Sequence, residues 1–326
     1  MAKPLLGLLV WLFATTHALA LEFSHYHSQD DIDSYLLQMA RERPELVHFH
    51  HLGRSEQGRP INYLVISRGD PENLPAIFLN GTHHGDERAS TETVLGLIDF
   101  LILNHQAPLL KELLSSYAIY LQPLVNPDGF ALGTRFDARG FDPNRDYAFP
   151  GRSDEDSFKT KPIRLVKDLV SSMRFRAALA FHSGMEGVLW AWAHTADRAP
   201  DHDLYYTLAK LTAGAMAMPR YVQSYHDYPA LGEFIDFVYM NYGTLALTVE
   251  VANEPSPPAR ELAGVVKRAI GGSVAFMLAI LELDRGQLRI EHQATSASAT
   301  WPASIPPAKI ATIRGRQGGG ASPLSR

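Results

Sequence analysis

The sequence predicts an α/β protein in which helices cover a largely buried sheet. Two observations carry that prediction. Apolar runs of strand length, such as Ala76-Ile77-Phe78-Leu79, Ala177-Ala178-Leu179-Ala180-Phe181 and Leu245-Ala246-Leu247-Thr248-Val249, alternate along the chain with segments whose apolar residues recur at helical spacing. The chain has 326 residues and 46% apolar content, ample for a buried core.

Taken in order, residues 1–20 read as an export signal. Lys3 supplies the positive start, residues 5–14 are an unbroken apolar run, and Ala18-Leu19-Ala20 is a small-x-small cleavage site. The run is shorter than the roughly 20 apolar residues a bilayer span needs. Cleavage after Ala20 and release to a bacterial periplasm or medium, with no membrane anchor, is the expectation. Ile32, Tyr35, Leu36 and Met39 predict a helix over 30–43, ending before Pro44. Strands are expected over 61–67, 75–79 and 117–121, with a long helix over 87–103 between the last two. Asn126-Pro127-Asp128-Gly129 reads as a turn, and the Gly, Pro and Asp residues of 129–156 as a long surface loop. Loops of that length inside a domain usually carry function. Further helices are expected over 163–173, 203–217, 231–241 and 259–283, and strands over 177–181 and 244–249. One catalytic domain therefore spans 21–285. Residues 286–326 are expected to be a disordered tail, because from 293 onward Ala, Ser, Thr, Pro and Gly dominate and bury little apolar surface.

Composition narrows the chemistry. The net charge of -5 gives no reason to expect nucleic acid as a partner. Cysteine is absent, which excludes disulfides, thiolate metal sites and a cysteine nucleophile. Ligands of α/β sheets gather at the carboxyl ends of strands, and His84, His182 and Glu250 each follow or end an apolar run. His84 and Glu87 stand three residues apart; His83 and Asp86 have the same spacing, and spacing alone does not choose between them. His182 ends its run and precedes Ser183-Gly184, although a hydrogen-bonded core histidine would read the same way. Two imidazoles and one carboxylate suit an open catalytic zinc site, with a position left for water. Glu250 leaves a strand where a carboxylate is costly unless it pairs, binds metal or works as a general base. The plain alternative is an ion pair with Arg135, Arg139 or Arg145 of the loop.

At this point the chain resembles the zinc carboxypeptidases of the carboxypeptidase A and B type, over roughly residues 25–283. The resemblance runs through residues 52–61, His84-Gly85-Asp86-Glu87, Asn126-Pro127-Asp128-Gly129-Phe130, Phe141-Asp142-Pro143-Asn144-Arg145, Phe181-His182-Ser183 and Leu247-Thr248-Val249-Glu250. It implies a three-layer α/β/α domain with a mixed central sheet. One zinc ion would be held by His84, Glu87 and His182. Glu250 would pass a proton from water to the leaving amine, and Asn144 and Arg145 would grip the terminal carboxylate. Arg135, with Arg139 as the rival, would stabilise the oxyanion. Tyr228 would close over the substrate, with Tyr225 as its nearest rival. Ile235 would lie at the base of the terminal-residue pocket and favour an apolar or aromatic side chain.

Three departures follow from the same comparison. Asp86 stands where digestive members carry arginine and looks more like bacterial members that trim peptidoglycan peptides. The segment between Glu87 and His182 is shorter than theirs, and no inhibitory pro-domain is expected. The implied activity is removal of a C-terminal residue from a peptide with a free carboxylate, by a monomer. The alternatives are a murein-peptide amidase or carboxypeptidase and an inactive relative that only binds. A zinc deacylase fits less well, given Asn126-Pro127-Asp128-Gly129 and Tyr228.

Overall fold

The computed structural model describes residues 21–293, so the expected export signal and residues 294–326 lie outside the described residues. The chain opens with α1 (Gln29–Glu42), started by a reciprocal capping box between Ser28 and Asp31. An antiparallel pair follows, β1 (Val47–Arg54) and β2 (Pro60–Ile66). Next come β3 (Ala76–Gly81), α2 (Arg88–Asn104), α3 (Pro108–Ser116) and β4 (Ala118–Gln122). α4 (Pro127–Leu132) and an irregular stretch containing a 3-10 turn at Pro143–Arg145 lead to α5 (Lys161–Met173). β5 (Ala177–His182), β6 (Met185–Trp190), α6 (His202–Ala215), β7 (Tyr221–Gln223) and α7 (Ser224–Asp227) follow. α8 (Phe234–Tyr242), β8 (Leu245–Ala252) and α9 (Ala259–Asp284) complete the order.

All strands join one eight-stranded sheet in the order β1-β2-β4-β3-β5-β8-β6-β7. The four central strands β4, β3, β5 and β8 run parallel, while β2 and β6 flank them antiparallel, so the sheet is mixed. Apolar residues alternate between its faces. Ile77, Leu79, Leu179 and Leu247 face a core shared with α1, α2, α3, α6 and α9. Phe78, Ala178 and Ala246 face the opposite core, shared with α5 and α8. This is the expected three-layer α/β/α arrangement. α9 is long and apolar enough by composition to cross a membrane, but 83% of its most apolar window is buried in the protein.

Several elements were not anticipated. β1 reads Val-His-Phe-His-His-Leu-Gly-Arg and lies half exposed at the sheet edge, where burial does not enforce an apolar pattern. β6 pairs with β8, and the three-residue β7 forms the other edge. α3 carries Leu110, Leu113 and Leu114 on a buried face behind a proline at its start, a pattern legible in the sequence. The turn at Asn126 opens the short helix α4 instead of a plain loop. Residues 286–293, assigned by composition to the tail, lie along α6: Glu291 N donates to Thr207 Oγ1 at 2.8 Å, and His202 Nε2 stands 2.7 Å from Gln293 Oε1.

Candidate active site

The parallel strands β3, β5 and β8 all end at one edge of the sheet. His182 is the last residue of β5 and is paired in register with Glu250 of β8. β3 reaches the same edge through a sharp turn. Thr82 takes φ +62, unusual for a β-branched residue, and is held there by Ser90 Oγ, which accepts from Thr82 N at 2.9 Å. His83 then points into the core, with Nε2 2.8 Å from Tyr147 Oη and its ring against His182 and Phe234. His84 turns the other way, toward Glu87. Between them Gly85 lies so close to α4 that a Cβ would sit 2.0 Å from the carbonyl carbon of Gly129. Asn126 ties these pieces together, donating from Nδ2 to His83 O and Phe136 O, both at 3.2 Å.

Glu87 is the N-cap of α2, yet its side chain makes no cap bond. It points instead between the two histidines: Oε1 is 2.6 Å from His84 Nδ1 and Oε2 is 2.8 Å from His182 Nδ1. All three residues are buried, and one donor atom from each lies within 4.8 Å of the others. The positive end of α2 adds a favourable field for the carboxylate. Burial alone would raise the pKa of Glu87, but the two imidazoles outweigh it and hold it far below the usual carboxylate range. Burial lowers His182. For His84, burial pulls downward, but the Glu87 and Asp142 carboxylates prevail and raise it to about 9. Two nitrogens and one carboxylate converging in a buried pocket suit zinc at a site with an open position. His83 and Asp86, the alternative pair, are not in this cluster.

Asp142 was not anticipated. It N-caps the 3-10 turn by accepting from Asn144 N at 2.9 Å, holds His84 Nε2 at 3.1 Å, and accepts from Arg135 Nε at 2.9 Å. A carboxylate on the second ring nitrogen of a ligating histidine is a recurrent arrangement that fixes ring orientation. The Asp-Pro pair ahead of Asn144 was its only trace in the sequence.

The loop residues fall into two groups. Arg135 Nη1 lies 3.2 Å from His84 Nδ1 and 3.7 Å from Glu87 Oε1. Arg139 lies apart from the histidines, stacked at 4.9 Å on Phe141 and bonded to the carbonyl of Lys159. Asn144 Nδ2 is 3.4 Å from His182 Nε2, and its Oδ1 accepts from Phe234 N at 3.0 Å. Arg145 donates from Nη2 to Tyr228 Oη at 2.8 Å and pairs through Nη1 with Glu233 Oε1 at 3.1 Å. Tyr228 is 48% exposed at the rim. Tyr225 packs on His226 instead. Ile235 is buried in the core beneath α8. Glu250 Oε2 is buried without a hydrogen-bond partner, so the ion pair offered as its plain alternative is not formed at that oxygen. Burial, then the nearby Glu87 anion, push Glu250 well above the usual carboxylate range. A bound cation would draw it back.

Comparison with known proteins gives the same picture. Carboxypeptidase SOL1 of Arabidopsis thaliana is 25% identical over 260 residues, covering 74% of this chain and 53% of that protein. Zinc carboxypeptidase A 1 of Anopheles gambiae is 28% identical over 253 residues, covering 67% of this chain and 58% of its own length. The chain thus spans little more than half the length of these relatives. In fold, carboxypeptidase A from Helicoverpa armigera superposes with TM-score 0.73 at 19% identity, covering 85% of this chain and 80% of that one. A metallo-carboxypeptidase from Pseudomonas aeruginosa gives 0.62 at 22% identity, covering 81% and 70%. A profile of the zinc carboxypeptidases matches residues 32–270, a stretch that includes β3, β5 and β8 and everything gathered at their ends. The chain belongs to the zinc carboxypeptidase family.

Proposed function

We propose that this protein hydrolyses the C-terminal peptide bond of peptides with a free carboxylate, using one zinc ion held by His84, Glu87 and His182. The observation that carries the reading is the closeness of two kinds of group: Asn144 stands 3.4 Å from His182, and Arg145 is its chain neighbour. A metal cluster alone would serve many hydrolases; an amide and a guanidinium beside it suit a substrate that ends in a carboxylate. When bound, zinc supplies Lewis acidity toward a carbonyl and lowers the pKa of water.

The residues of the chain do the rest. Arg145 and Asn144 bind and orient the terminal carboxylate. Arg135, held by Asp142, offers its guanidinium to charge developing on the scissile carbonyl oxygen. Glu250 takes a proton from water and returns it to the leaving amine, a role helped by burial, which raises its pKa above the usual carboxylate range. Tyr228, joined to Arg145 and exposed, closes over the bound residue. Ile235 taken by itself suggests an apolar or aromatic terminal side chain. Lys3 and the apolar run 5–14 support export, and we read the protein as a monomer.

The test compares N-blocked dipeptides with their C-terminal amides, before and after chelation and zinc readdition. Release of the last residue only from free acids, lost with chelator and restored by zinc, is expected. Equal cleavage of the amides would remove the reading.

A further inference from the structure

We propose that processing completes this fold: cleavage after Ala20 creates an α-ammonium group on Leu21 that forms an ion pair with the buried carboxylate of Asp99. The inference goes beyond the hydrolytic reading and rests on the proposed export signal. The backbone nitrogen of Leu21 lies 3.2 Å from Asp99 Oδ2. Asp99 is 3% exposed, and its Oδ1 accepts from Tyr35 Oη at 3.1 Å. The contacts of residues 21–27 fall on one face of α2. Leu21 meets Asp99, and His27 meets Glu92. Between them Phe23 covers Gly96, where a Cβ would stand 3.4 Å from its ring. Positions 92, 96 and 99 follow one helical stripe.

Carboxylates on a buried stripe are costly unless paired. Glu92, 1% exposed, receives the backbone nitrogen and Nδ1 of His27, both at 2.7 Å. That side-chain bond outweighs burial and raises the His27 pKa, which favours the imidazolium. At Asp99 the corresponding cation is the new chain terminus. Hydrolysis of the Ala20–Leu21 bond by the leader peptidase of the export route adds one water. Ala20 keeps a carboxylate, and Leu21 gains an amine that is protonated at neutral pH. The same nitrogen that donates as an amide then donates as a cation, turning a hydrogen bond into an ion pair. Leu21 packs against the core, which holds the new terminus at the helix. The segment is anchored further along as well. Tyr26 Oη donates to Pro257 O at 2.6 Å, and Ser28 caps α1. The processed end therefore ties α1, α2 and the approach to α9 together.

A double-mutant cycle tests the pair. Zinc-loaded protein running from Leu21 to Arg326 is compared with the same chain carrying Gly-Ser ahead of Leu21, each with and without Asp99→Asn. Melting temperatures are read at pH 7. With Asp99 present, the extension should lower the melting temperature by about 3–6 °C, the size of shift expected when one such contact loses its charge. In the Asp99→Asn background it should cost about 1 °C or less. An equal loss in both backgrounds, or no loss with Asp99 present, would overturn the proposal. If Asp99→Asn does not fold, N-terminal acetylation of the wild-type chain decides. Acetylation adds no residue but removes the charge, and an unchanged melting temperature would again overturn the pair. The export reading is tested separately, by N-terminal sequencing of the full-length gene product recovered from the periplasm of a bacterial host. A start at Leu21 supports both. Any other start retires cleavage after Ala20 whatever the cycle gives, and a failed cycle with a Leu21 start retires only the ion pair.

Discussion

His182 and Glu250 sit opposite one another on the neighbouring strands β5 and β8. Arg135, Asn144 and Arg145 reach the same centre from a stretch whose only regular structure between α4 and α5 is the 3-10 turn Pro143–Arg145. The two halves are held by different physics. Backbone ladders fix the strand half, and its neighbours in the core leave little room for adjustment. The loop half is held by side chains: Asp142 caps the turn and grips both Arg135 and His84, while Asn126 holds Phe136 O. The comparison teaches that the residue proposed as the base is placed by the fold, whereas the proposed grip on substrate depends on a few hydrogen bonds.

Variants can break that division or sharpen it. The largest effect is expected for Glu250→Gln, which keeps shape but removes the proposed base; kcat should fall roughly 10²–10⁴-fold, with zinc content unchanged by elemental analysis. A variant with normal turnover would take proton transfer away from the strand half. Asp142→Ala comes next. It removes one carboxylate from both His84 and Arg135, and zinc affinity measured by chelator competition should drop about 10–100-fold. An unaltered affinity would show that the strand half holds the metal without help from the loop. Tyr228→Phe should be smallest. It deletes one hydrogen bond to Arg145 from an exposed side chain, and KM for a blocked dipeptide should rise about fivefold or less. A much larger loss, carried by kcat, would make the tyrosine part of the chemistry.

The unequal legibility of the two halves in the sequence follows from the same difference. A strand end announces itself: a run such as Ala177-Ala178-Leu179-Ala180-Phe181 fixes where His182 must emerge, and the run before Glu250 does the same. The choice of His84 over His83 was not written in any spacing, since both stand three residues before an acid. It depends on the backbone reversal at Thr82, which sends one imidazole toward Tyr147 and the other toward Glu87. Asp142 lies 58 residues from the histidine it orients, and Glu233 lies 88 residues along the chain from Arg145. No periodicity connects such partners. Arg135 and Arg139 are the same residue type in the same loop, and only their partners in the fold separate them: Asp142 and His84 for one, Phe141 and the carbonyl of Lys159 for the other. The half-exposed β1 was missed for the opposite reason, since an edge strand has no buried face on which to write a pattern.

The register between His182 and Glu250 has one more consequence. Rungs of a central ladder open only with the sheet itself, at the upper end of the range of local opening free energies, while loops open well below it. Warming or mild denaturant should therefore loosen the loop around Arg135 and Arg145 first and leave the pair on β5 and β8 in place. On the proposed function, the molecule would forget how to hold a peptide before it forgot how to break one.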